Sequence, residues 1–137
     1  MPEKPYVVRT ARETADTAQT TGAKRVAGVS PAATPGYLIW LGKVSNEPGY
    51  RSVPHHHGVT ETAGYVLKGS ARIYFGDNYQ DYVNVEEEDF VFVPPGTPYI
   101  EANRSPDAEL VWMTARTPDN IFGNPPDVDE ADLRNKA

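Results

Sequence analysis

Residues 49–69 read GYRSVPHHHGVTETAGYVLKG, and the rest of the chain takes its meaning from this stretch. All three histidines of the 137-residue chain stand here as His55, His56 and His57, with Glu61 four residues beyond the last. On a β-strand alternate side chains share a face, so His55 and His57 are expected to point one way and His56 the other. Two imidazoles then converge on one spot. A carboxylate arriving across the following turn, with Glu61 as the candidate, completes a nitrogen and oxygen set suited to a first-row transition metal.

Outward from this stretch the sequence has the texture of antiparallel β-structure, short apolar or alternating runs separated by turn residues. Expected strands are Tyr37 to Val44, Arg51 to His57, Ala63 to Lys68, Ala71 to Phe75, Tyr82 to Val85, Phe90 to Val93, Tyr99 to Ala102 and Glu109 to Thr114. Short strands at that spacing predict an all-β sandwich or barrel over residues 37–117. Residues 1–36 are polar and without helical periodicity, and are expected to form an extended arm over the core or a partner subunit. The tail, 118–137, is polar again; within it only Asp127 to Lys136 has the pattern of a short helix.

Composition narrows the function. A formal charge of -6 leaves no basic footprint for nucleic acid or an anionic membrane. The absence of cysteine removes disulfides, thiolate nucleophiles and zinc-thiolate sites together. Neither a membrane-length apolar run nor a signal-peptide core is present, so a cytoplasmic location is expected.

The spacing of Gly49, His55, His57 and Glu61 resembles the first signature of the cupin family: Gly, five residues, His, one residue, His, three or four residues, Glu, six residues, Gly. The segment EDFVFVPPGTPYIEAN resembles the second, with Pro94, Gly96 and Asn103 in register. This resemblance, spanning roughly residues 37–115, implies a small single-domain cupin β-barrel, the double-stranded β-helix or jelly roll, with a metal site inside its mouth. Three departures stand out. Gly69 lies one residue too far from Glu61, while Thr62 occupies the alternative position without a usual metal-ligating side chain. Glu88 replaces a turn glycine. Tyr99 takes the place of the fourth ligand, normally His.

Tyr99 has two readings. As a ligand it must lose the proton of a group with an ordinary pKa near 10, which favours a strongly polarising metal. Otherwise His55, His57 and Glu61 hold the metal with open positions, and the phenol donates a proton. Arg51, on the parity of the histidines if the strand is unbroken at Pro54, is a candidate clamp for a substrate carboxylate. Glu101 shares a face with Tyr99 and is a candidate to orient it or act as base.

These residues point to a metal-dependent enzyme of the oxygenase or redox type acting on a small organic molecule. Iron or copper is favoured as cofactor, with manganese, nickel or zinc as alternatives. A non-redox Lewis-acid isomerase or lyase, and a non-catalytic metal- or metabolite-binding module, are the competing classes. A homodimer is expected.

Overall fold

The structure, a computed structural model, describes residues 4–9, 21–31, 34 and 38–117. The candidate helix Asp127 to Lys136 lies outside them. Eight strands follow one another: β1 Ala23–Val29, β2 Trp40–Asn46, β3 Thr62–Lys68, β4 Ala71–Phe75, β5 Asp81–Val85, β6 Phe90–Val93, β7 Ile100–Asn103 and β8 Leu110–Arg116. All pairings are antiparallel, in a five-stranded sheet ordered β1-β2-β8-β3-β6 and a three-stranded sheet ordered β5-β4-β7.

Alternation places one set of side chains between the sheets. Val44, Val66, Ala71, Ile73, Val85, Leu110 and Trp112 pack there with Tyr99 as the main core. Burying these aliphatic and aromatic groups contributes roughly 1.5–3 kcal/mol apiece, before the entropy of ordering them is subtracted. Tyr74, Tyr79, Ile100 and Ala102 form a second cluster.

Two expectations about the strands are revised. The polar arm supplies β1, which runs along β2 from Ala23 opposite Asn46 to Val29 opposite Leu41. Its sequence AKRVAGV alternates weakly because its inward positions are Ala23, Arg25 and Ala27, all buried but hardly apolar. The expected strand Arg51 to His57 is reduced to two bridges, Arg51 with Ala102 and His55 with Tyr99. Between them the pairing slips by one residue, and Pro54 sits in the bend. A one-residue slip exchanges the faces of a strand, which decides where Arg51 goes.

Asn103 of the second signature ties corners together. Its side-chain amide donates to the carbonyls of Glu47 at 3.0 Å and Ala108 at 2.8 Å. Trp112 Nε1 donates to the buried Asn46 Oδ1 at 2.8 Å, fixing the indole beside the cavity.

Candidate metal and substrate cavity

Between the sheets lies a cavity of about 50 Å³ whose lining includes His57, Tyr99, Glu101, Thr62, Thr114, Arg25 and Arg116. His55 is not itself part of the lining; it packs against Tyr99 with no exposed surface. The two histidines arrive together because the segment after Pro54 is extended: His55 and Tyr99 exchange both backbone hydrogen bonds, at 3.1 and 2.9 Å. Their rings stand 5.2 Å apart at 88°. His56 points elsewhere, its Nδ1 accepting from the Gly58 amide at 3.1 Å.

His55 is oriented from behind. Its Nδ1 lies 2.8 Å from the carbonyl of Val53, so Nδ1 carries the proton and Nε2 presents a lone pair to the interior. Burial, opposed by that hydrogen bond and reinforced by Arg25 and Arg116, brings the His55 pKa down to about 4. The imidazole is therefore neutral near pH 7, the form that ligates metals. Facing Nε2 at 3.8 Å is Oε1 of Glu101, delivered by β7.

Glu61 does not join this group. It is exposed, and its backbone amide and carbonyl are both engaged by Thr117. The cause is register: Thr62 to Val66 run unbroken opposite Arg116 to Trp112, so Thr62 faces inward and its neighbour Glu61 outward. The bulge that the spacing to Gly69 called for occurs between Val66 and Lys68, too far along to turn Glu61 in. Thr62 thus occupies the inward position.

Arg51 is also placed elsewhere. Its guanidinium stacks on the Tyr74 ring at 4.6 Å and lines a separate cleft with Arg72, Tyr74 and Arg104. The slip at Pro54 sent it to the face opposite the histidines. Tyr99 stands where it was expected, its ring 4.4 Å from that of His55. Burial first, and the charge of Glu101 second, push its phenol well above the ordinary tyrosine range, so it keeps its proton.

Arg25 and Arg116 were not foreseen. Both are buried, at 4% and 5% exposure, and both line the cavity. Arg25 Nη2 lies 3.9 Å from Glu101 Oε1. Arg116 stacks on Trp40 at 4.1 Å, and burial lowers its pKa to about 10, still charged near pH 7. Continuing the alternation of Leu110, Trp112 and Thr114 by one step would have found Arg116.

Residues 42–115 match the Cupin_2 family, the cupin domain. The chain belongs to the cupin family. No curated protein matches the sequence. Among solved structures, this cupin resembles an uncharacterized double-stranded β-helix protein from Klebsiella pneumoniae at 14% identity, covering 80% of this chain and 90% of that one, with a TM-score of 0.62. KdgF from Halomonas sp. aligns at 15% identity over 84% and 94% of the two chains, TM-score 0.65. Oxalate decarboxylase from Bacillus subtilis aligns at 23% identity and TM-score 0.62 over 74% of this chain, which spans only 27% of that enzyme's length. At these identities the likeness is one of fold. Among the described residues of this cupin, no group of three or more His, Cys, Asp or Glu side chains is spaced as a metal cage.

Proposed function

We propose that this cupin is a metal-dependent enzyme of the oxygenase or redox type acting on a small organic molecule, its metal held by His55, His57 and Glu101. The observation that carries the reading is the neutral, oriented Nε2 of His55 facing the Glu101 carboxylate across 3.8 Å inside the barrel. The donor types suit a transition metal, two imidazoles and one carboxylate being the set of many iron oxygenases, and the three, which are not gathered as a cage in this structure, would have to close on the ion. Glu101 replaces Glu61 as the carboxylate. Iron or copper remains the favoured metal; oxalate decarboxylase from Bacillus subtilis has Mn(II) centers, which keeps manganese beside them.

A metal bound there supplies Lewis acidity and electron transfer. The residues of the chain do the rest. Tyr99, protonated in the metal-free protein, would donate a hydrogen bond or proton to bound substrate or, on a strongly polarising metal, serve as its fourth ligand. Val44, Ile73, Val91, Val93 and Trp112 give the cavity an apolar wall. The same protonated phenol beside a carboxylate also suits non-redox proton transfer, and dependence on dioxygen separates the two.

As for partners, we propose a homodimer that covers the outer face of the five-stranded sheet. Leu41, Ala115, Ala63 and Phe92 form one cross-strand row there, and Met113, Tyr65 and Phe90 the next. Phe90 and Phe92 are 81% and 57% exposed, more than an isolated apolar face ordinarily shows. No helix among the described residues is long and apolar enough to cross a membrane, and a cytoplasmic location is proposed.

Elemental analysis of untagged protein tests the enzyme reading. About one transition metal per chain is expected, and loss of nearly all of it in a folded His55→Ala, His57→Ala double variant. Protein that takes up none of iron, copper, manganese, nickel or zinc would overturn the reading in favour of a metabolite-binding module.

A further inference from the structure

The two buried arginines say what kind of molecule the cavity receives. Arg25 comes from β1 and Arg116 from the end of β8, so strands at two places in the sheet bring guanidiniums into one small space. Guanidiniums are seldom buried in a barrel interior without a purpose, because removing the charge from water costs several kcal/mol. Facing them in the lining is a single described carboxylate, Glu101. Besides these charges the lining is rich in donors, with Thr62, Thr114 and the Tyr99 hydroxyl beside the two arginines.

We propose that Arg25 and Arg116 form a clamp for the carboxylate of a small organic acid, and that this acid is the substrate class of the enzyme. The proposal rests on the reading of this cavity as the substrate site. Size and donor geometry both argue for it. A cavity of about 50 Å³ accommodates only a few water-sized groups, hence a molecule of few heavy atoms. The two oxygens of a carboxylate suit the planar fork of arginine. Arg25 makes β1 part of the site, so an arm that looked peripheral in the sequence becomes a specificity element.

Propionate and propionamide have nearly the same shape and differ by one charge, which makes them the probes. Trp112 lines the cavity and Trp40 stacks on Arg116, so tryptophan fluorescence of metal-stripped protein reports occupancy. Propionate is expected to bind at least tenfold more tightly than propionamide, and more tightly than inorganic phosphate. Arg25→Gln and Arg116→Gln are expected to remove the preference for propionate, and Arg116→Lys to restore part of it. Equal binding of propionate and propionamide to the wild-type protein, which needs no variant to fold, would overturn the clamp. So would tighter binding of phosphate, or a preference unchanged in both glutamine variants. Metal content, measured separately, keeps the two readings apart: a chain that holds metal but ignores charge loses the clamp alone, and one that prefers propionate but takes no metal loses the metal centre alone.

Discussion

His55 Nε2 and Glu101 Oε1 face each other across 3.8 Å inside the barrel, although 46 positions separate the two residues in the chain. The gap is too long for a hydrogen bond and longer than the roughly 3.0–3.4 Å between neighbouring ligands on one first-row ion, so a bound metal would draw the two together. Replacing Glu101 with Ala is therefore expected to weaken metal affinity by at least about tenfold, while Glu61→Ala leaves it unchanged. Chelator competition measures both. Equal effects at the two positions would return Glu61 to the site.

Thr62 stands in the inward position that the family signature gives to glutamate, with six residues between it and Gly69. A carboxylate there would face the cavity that Thr62 now lines. Thr62→Glu is expected to tighten metal binding by about tenfold or more, since it adds an anionic donor without displacing His55, His57 or Glu101. Unchanged affinity in a folded variant would show that position 62 does not reach the metal.

Acid should weaken the metal-free protein through His55. The folded-state pKa of about 4 lies below the ordinary 6.5, so between these values the unfolded chain binds a proton that the folded chain does not. The contribution is complete above about pH 6.5, is lost as pH falls toward 4, and changes no further below that. From pH 7 to pH 5 the expected loss is about 2 kcal/mol. Urea denaturation with chelator present measures it, and His55→Gln should flatten that part of the profile. A variant with the wild-type slope would mean His55 is protonated alike in both states.

Glu88 has a φ of +72°, in the left-handed region where side chains are strained, at the turn where the family pattern has glycine. Glu88→Gly is expected to raise stability by about 1 kcal/mol, the relief of strain exceeding the added freedom of the unfolded chain. Thermal denaturation reads this directly. A lower melting temperature would assign Glu88 a contact worth more than its strain.

Arg51 lies across the sheet from the chemistry, stacked on Tyr74. Arg51→Ala should leave metal content and propionate binding unchanged and cost about 1 kcal/mol of stability, the size of a partly exposed cation-π contact. Loss of propionate binding in a folded variant would place Arg51 back at the cavity.

The barrel was largely legible from its β-texture and two spaced signatures. Strands such as β4 and β6 carry their own apolar or alternating pattern, and the structure reproduces both to the residue. β1 was not legible, because a strand whose inward positions are two alanines and an arginine has almost no hydrophobic signal. The site was legible where it is local. His55 and His57 are two residues apart, and a strand's period of two leaves them no choice but to share a face.

By itself the sequence determined the family, the β-architecture, the pair of histidines and the replacement of the family's fourth histidine by Tyr99, since each is written in residue types and short spacings. Only the tertiary structure decided which carboxylate faces the histidines and which arginines enter the cavity. Both depend on strand register, where one residue inverts every side chain: the unbroken pairing at Thr62 turns Glu61 outward, and the slip at Pro54 turns Arg51 away. Glu101, Arg25 and Arg116 meet because β1 closes with β7 and β8, far along the chain, around one space, and nothing local in the chain records that convergence.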